Sequence, residues 1–506
     1  MPRMTVEEVK AATDGVIVKR GRRRTIEGIS IDSRTTGPGE LFIPVIGERR
    51  DAHRFIPQAL ERGAAAILAQ GDRIGAQAPG WGANASIITV EDTTRALGDL
   101  AAFHRGRFHL HLAAVTGSSG KTSTKDMTAA VLSRKWRVHK SEGNLNNFFG
   151  LPLSLFRMDR GHQASVVELG MNRAGEIRRL AEIARPSVGV ITNIGPVHLE
   201  FLKTVAGVRD AKAEMAQVMA ERGRGVMVLN AENPHCLNVA ERYGRDLEGR
   251  IVLFGRLAAA HVQAADVRSL GKAGMAFTLR MGTERRAVRL RTPGEHNVAN
   301  ALAAAAAAWS LGVGADDVAS GLEDFRPAPM RMEVLDLPEG LHVVNDAYNA
   351  NPDSMAAALT TFAGLTNGGR SVAVLGDMLE LGRRAAAAHR SVGAAVARMA
   401  QQPSGRIDHL LVLGKRARLM ADEALKRGMN RRRVTVCETH AEAARWLKRH
   451  TRSGDWVLLK GSRGMGMERV LEGLRPAGRG GRLPGKEGSG EIRRGKNPLQ
   501  RKKRST

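Results

Sequence analysis

The chain has 506 residues, 42% hydrophobic but only 4% aromatic, which is enough for about three domains with aliphatic cores. No apolar run reaches the ~18–20 residues that cross a bilayer, the start from Met1 to Glu8 is charged, and Cys236 and Cys437 lack metal-ligand spacing. These features argue against a membrane span, a signal peptide and a disulfide scaffold, and make the reducing cytoplasm the expected location. The formal charge of +27 would suit a polyanion, yet no aromatics interleave with the clusters Arg20 to Arg24 and Arg431 to Arg433. No specific nucleic-acid partner is therefore expected; a solvated basic surface and phosphate-bearing small substrates account for the excess.

In chain order, a first block, 1–107, holds strand candidates at 29–31 and 41–45, a helical pattern over 55–62 and an apolar run at 64–68. A second block, 108–325, opens with the strand candidate 112–115, a glycine loop and a helical pattern over 123–132. Strand candidates at 164–168, 188–191 and 225–229 then alternate with helical patterns at 174–183 and 205–219, which predicts a mostly parallel sheet. Residues 251–290 read as short strands with turns. An Ala-rich helix over 298–311 follows, with Gly294 breaking the chain before it and Asn297 placed as its N-cap. The run Arg326-Pro327-Ala328-Pro329 marks a linker. A third block, 326–475, alternates again, with strands predicted at 341–345, 371–375, 409–413 and 456–460. The remainder, 476–506, is a basic, Gly-rich tail expected to be disordered. The fold class is α/β in three domains.

The loop Gly117-Ser118-Ser119-Gly120-Lys121-Thr122 sits between strand and helix. Backbone N–H groups and a helix N-terminus in that setting cradle phosphate. Lys121 can reach terminal phosphates and the Thr122 hydroxyl can bind Mg²⁺. Val115 occupies the first glycine of the longer P-loop pattern, so this is a shortened form. Other polar residues fall at predicted strand ends, where open α/β sheets bind ligands. Glu168 is either a Mg²⁺ carboxylate or a solvated strand end. His198 is either structural or, as a neutral imidazole, a ligand for a second cation. Lys212, on a helix, reads from composition as a surface lysine. Asn297 and Asn300 either cap the Ala-rich helix or recognise a base or ribose. The loop from Asp346 through Tyr348, Asn349 and Asn351 is too dense in hydrogen-bonding groups for a simple turn. The runs at 376–382 and 460–464 end strands as well, and Ser462 and Arg463 suit a substrate carboxylate.

Together these motifs resemble the Mur ligases of peptidoglycan synthesis, over about residues 29–474. The resemblance implies a small N-terminal UDP-sugar domain, with Ser33 and Arg34 among its substrate residues. It also implies a central P-loop ATPase domain and a C-terminal Rossmann-like domain. Glu142 to Asn147 matches the family's next conserved segment, which puts Asn144, Asn146 and Asn147 on the substrate side. Glu168 matches the magnesium glutamate, His198 the histidine of the second magnesium, and Lys212 a carbamylated lysine that bridges to it. Asn297 and Asn300 match adenine-side asparagines. Tyr348 to Met355 is similar to the signature of the members that add D-Ala-D-Ala to UDP-MurNAc-tripeptide. The implied chemistry is ATP-driven amide formation through an acyl phosphate, with two Mg²⁺ ions and Lys121, Lys212 and His198 as catalytic groups. Arg331, Asp346 and Asn349 would reach the nucleotide when the third domain closes. A monomer is expected. Phe148-Phe149 and Ala52 depart from the family pattern. The other readings are a ligase for a different stem residue and a nucleotide-regulated binding protein without catalysis.

Overall fold

The computed structural model of the chain describes residues 3–47, 50–74, 81, 84–366 and 369–475. The basic tail, 476–506, lies outside these residues.

The first sheet has five strands. Gly28–Ser30, Glu40–Phe42, Ala66–Gln70 and Ser86–Val90 run parallel, and Val16–Lys19 is antiparallel at one edge. The strand predicted at 41–45 ends at Phe42, just short of Pro44, which has no N–H for a ladder. The helix predicted over 55–62 splits into a 3-10 turn, Ala52–Phe55, and a short helix, Ile56–Glu61. Asp51 caps the turn by accepting from His53 N at 2.9 Å. Two further helices pack here, Val6–Thr13 with a Thr5–Glu8 capping box and Thr93–Gly106 capped by Asp92.

The central sheet joins nine strands. From one edge these are Val138–Lys140, Ala164–Glu168, His111–Thr116, Val188–Ile191, Val226–Asn230, Ile251–Gly255 and Val262–Ser269, all parallel. Met275–Met281 and Glu284–Leu290 add an antiparallel meander, so residues 251–290 extend the same sheet. The interior strands are apolar almost throughout, as strands buried on both faces must be. The chain leaves the His111–Thr116 strand towards one edge and later returns on its other side. That reversal opens a crevice at the carboxyl ends of three adjacent strands, Ala164–Glu168, His111–Thr116 and Val188–Ile191.

The Ala-rich helix, Glu295–Trp309, packs against Lys121–Leu132. Ala303 to Ala308 are all fully buried, and their small side chains let the helix lie close to its neighbours. Asn297 is not its N-cap. Gly294 holds that place at φ +98°, ψ 134°, a conformation open to glycine and strained for asparagine. Asn297 sits in the first turn and donates to Thr292 Oγ1 and the Pro293 carbonyl.

The third sheet has the order Glu333–Asp336, His342–Asp346, Trp456–Lys460, Ser371–Gly376, His409–Leu413 and Val434–Cys437. All are parallel except the first. The register places Lys460 opposite Asp346 on one side and Leu375 on the other, so three polar loops emerge at one edge. That edge faces the central crevice: Arg331 Nη2 donates to Thr122 Oγ1 at 2.8 Å and Asn351 Nδ2 to the Ser118 carbonyl at 3.2 Å.

Candidate active site

A cleft of about 520 Å³ lies between the central and third sheets. The phosphate loop forms its floor. Gly120 is in the left-handed region at φ +77°, and a Cβ there would meet Asn300 Oδ1 at 2.1 Å. Asn193, at the end of the adjacent strand, accepts from the N–H groups of Ser118 and Ser119 through Oδ1, at 3.1 and 2.9 Å. Lys121 Nζ curls back to the Gly117 carbonyl at 2.9 Å. Burial lowers the Lys121 ammonium from its ordinary range, opposed by the Glu168 carboxylate and assisted by Arg331.

Glu168 is 4% exposed. Its Oε2 accepts from Thr122 Oγ1 at 2.7 Å and its Oε1 from Asn146 Nδ2 at 2.9 Å. Burial alone would raise this carboxyl; Lys121, the Thr122 bond, Arg331 and the Asn146 bond outweigh it and hold it below the usual range. Glu168 is thus an ionised carboxylate in a buried setting.

His198 adopts φ +52° and lines the cleft. Its Nδ1 lies 3.4 Å from Glu380 Oε2 of the third sheet's loop, off the hydrogen-bond axis, and so stays buried without an aligned partner. Lys212 departs from the surface reading. It is 2% exposed, and among the described residues its ammonium has no hydrogen bond or ion pair. Burial drives it well below its ordinary range, with Lys121 adding to the effect. It stands behind the cleft wall rather than on its lining.

The opposite wall comes from the third sheet. Lys460 Nζ, 2% exposed, pairs with Asp346 Oδ2 at 2.6 Å and donates to the Asn349 carbonyl at 3.0 Å. Tyr348 lies beneath two guanidinium groups, Arg331 at 4.0 Å and Arg463 at 6.0 Å from its ring centre. Ser462 Oγ accepts from Leu379 N at 2.9 Å and donates to the Ala350 carbonyl. His296 is pushed by burial down to about 4.

The cleft therefore gathers Ser118, Ser119, Gly120, Lys121, Thr122, Glu168 and His198 with Asn144, Asn146 and Asn147. It also gathers Asn297, Asn300, Arg331, Asp346, Tyr348, Asn349, Asn351, Ser462 and Arg463. It does not gather Ser33 or Arg34: Ser33 Oγ donates to Gln58 Oε1 at 2.7 Å, and Arg34 forks onto Asp32, both within the first block. Asn193, Asp353, Glu380 and Lys460 line the cleft as well; the last three fall within the runs 348–355, 376–382 and 460–464 noted in the sequence, but none was given a role of its own. Asn193 had no sequence signal beyond its position two residues past the Val188–Ile191 strand.

Among the described residues no three His, Cys, Asp or Glu side chains converge as a metal cage. Mg²⁺ binds through one or two protein oxygens and takes the rest from water and phosphate. Thr122 Oγ1 and the ionised, buried Glu168 supply such oxygens.

An α/β fold with a phosphate loop facing a cleft between two sheets defines a nucleotide-binding scaffold. Family profiles bear this out over most of the chain: "Mur ligase family, catalytic domain" matches residues 25–105, "Mur ligase middle domain" 115–308 and "Mur ligase, glutamate ligase domain" 330–463. The chain belongs to the Mur ligase family. It is 35% identical over 479 residues to UDP-N-acetylmuramoyl-tripeptide–D-alanyl-D-alanine ligase of Bacillus subtilis, covering 94% of this chain and 99% of the relative. The crystal structure of MurF from Acinetobacter baumannii matches with TM-score 0.82 at 32% identity, over 94% of this chain and 99% of that one. MurF from Thermotoga maritima in complex with ADP matches with TM-score 0.76 at 27% identity, over 88% and 97%.

Proposed function

We propose that this chain joins D-Ala-D-Ala to UDP-MurNAc-tripeptide at the expense of ATP, giving UDP-MurNAc-pentapeptide, ADP and phosphate in peptidoglycan precursor synthesis. The relatives' names support the substrates, and the ADP complex of one relative supports the nucleotide. The observation that carries the reading is the convergence of Lys121, Thr122 and ionised Glu168 beneath Arg331, Asn351 and Tyr348 from the other sheet.

The 1–107 block binds the UDP-sugar, with Ser33 and Arg34 contributing; 108–325 binds ATP; 326–475 receives the dipeptide. The adenine lies towards Asn297 and Asn300, and the phosphates lie on residues 117–122. A carboxylate oxygen of the tripeptide attacks the γ-phosphorus of ATP; the bond to the β-phosphate oxygen breaks and ADP leaves. The acyl phosphate then meets the dipeptide amine, which adds to the carbonyl, loses a proton, and expels phosphate from the tetrahedral intermediate. Lys121 and Arg331 oppose the charge on the transferring phosphoryl group. Ser462 and Arg463 hold the dipeptide carboxylate.

Two Mg²⁺ ions would sit here, one on Thr122 and Glu168 and one on Glu168, His198 and Lys212, neutralising phosphate charge. Lys212 fits carbamylation because burial favours its uncharged, nucleophilic amine, and a carbamate there would supply an anionic oxygen. Cytoplasmic location and a monomeric state complete the reading; among the described residues no helix is long and apolar enough to cross a membrane.

The test is ADP release from the purified chain with MgATP, UDP-MurNAc-tripeptide and D-Ala-D-Ala. Turnover is expected to require all three substrates. Turnover without the dipeptide, or with a free third stem residue in its place, would refute the assignment.

A further inference from the structure

The loop after the Ser371–Gly376 strand crosses from the third sheet to the central one. Gly382 there, at φ +52°, comes so close that a Cβ would stand 3.2 Å from the Glu200 Cα. Two residues earlier, Glu380 reaches His198, with Oε2 3.4 Å from Nδ1. Both residues are non-glycine and both are held in the left-handed region, Glu380 at φ +63° and His198 at φ +52°. The Glu380 side chain is 66% exposed. An ion pair that open to solvent contributes little to stability, so it does not by itself explain strained backbone on both sides of the contact.

The two imidazole nitrogens differ in their surroundings. Nδ1 is buried, with Glu380 as its nearest anionic group. Nε2 has no partner among the described residues, and the ring lines the cleft. A carboxylate beside one nitrogen selects the tautomer with its proton there and leaves the other lone pair for a cation.

We infer that Glu380 is a positioning residue for the second cation: the contact between the third and central sheets brings its carboxylate within 3.4 Å of His198 Nδ1, from where a small rotation lets it accept the Nδ1 proton and so present Nε2 as a ligand. The inference rests on the reading of His198 as a metal ligand. Its consequence is that the second ion is bound tightly only in the closed arrangement, so the cation charge is completed after the substrates are enclosed.

The test is electron paramagnetic resonance titration of Mn²⁺ into the full chain with a non-hydrolysable ATP analogue and UDP-MurNAc-tripeptide. The wild type is expected to bind two ions. Glu380→Ala should weaken the second by about 10–100-fold and leave the first unchanged. Glu380→Gln keeps an acceptor oxygen and should recover part of that loss. His198→Ala should lose the second ion. If Glu380→Ala binds both ions as wild type does while His198→Ala loses one, the inference fails and the ligand reading stands. If His198→Ala also keeps both, the ligand reading fails and the inference with it. Equal weakening of both ions in Glu380→Ala would overturn the inference too, since Glu380 would then hold closure rather than His198.

Discussion

Lys212 shows how much a single side chain can depend on its surroundings. It lies on the long helix Val205–Glu221, 2% exposed and, among the described residues, without an ion pair. Burial of a charge in that state is costly, and it drives the group well below its ordinary range, with Lys121 adding to the effect. An apolar side chain of similar shape should suit the fold better. Lys212→Met is expected to raise stability by about 1–3 kcal/mol in urea unfolding and to lose ADP release in the substrate-complete assay. If Lys212 carries the proposed carbamate, Lys212→Ala should lose the same activity and regain part of it with added short carboxylates, which would stand in for the carbamate oxygens. Full activity in either unsupplemented variant would remove Lys212 from the metal site. Glu168 is the converse case, a buried acid kept ionised by Lys121, Thr122, Arg331 and Asn146.

At the scale of elements, the phosphate loop depends on helices packed behind it. Lys121–Leu132 is pressed between the Ala-rich helix and Ala315–Asp324. The second contact is closest at Gly321, where a Cβ would stand 2.5 Å from the Val131 Cα. Backbone cannot rotate aside as a side-chain tip can, so Gly321→Ala should push the helices apart. The expected loss is about 1–3 kcal/mol in urea unfolding, with weaker nucleotide binding because Lys121 and Thr122 lie on the displaced helix. An unchanged unfolding midpoint would show that the packing relaxes more freely than the geometry implies. The same crowding explains the run Ala303 to Ala308: larger side chains would not fit.

At the scale of the whole molecule, the site exists only because the third sheet closes on the central one. Arg331 and Thr122 are 209 residues apart in sequence and 2.8 Å apart in space. Stability should also carry a pH signature from buried histidines. Burial pushes His104 and His139 from 6.5 down to about 4, and each is less than a tenth exposed. The unfolded chain binds protons at these groups near 6.5, the folded chain only near 4. Their contribution is therefore complete above about pH 6.5 and is lost as pH falls towards 4. Each is expected to cost up to ~3 kcal/mol across that window, read as a falling urea midpoint between pH 7 and pH 4.5. Replacing both histidines with phenylalanine should flatten that slope.

Much of this was legible in the order of residues. The phosphate loop is contiguous, so its strand, glycines, lysine and threonine could be read together, and alternating apolar runs announced parallel sheets. Glu168, His198 and the 346–351 loop announced themselves by following strands. Asn297 misled because its amide suits a cap, and only backbone geometry gives that place to Gly294. Lys212 looked like a surface residue because composition cannot say what packs against a helix face. The sequence by itself determined the kinds of chemical groups available and the elements that carry them, since these depend on neighbours along the chain. Tertiary structure alone decided that Lys212 is buried, that Lys460 pairs with Asp346, and that Glu380 meets His198. The first depends on helix packing around the central sheet, the second on strand pairing within the third sheet, and only the last on one sheet meeting the other; all three join segments whose separation leaves no local trace.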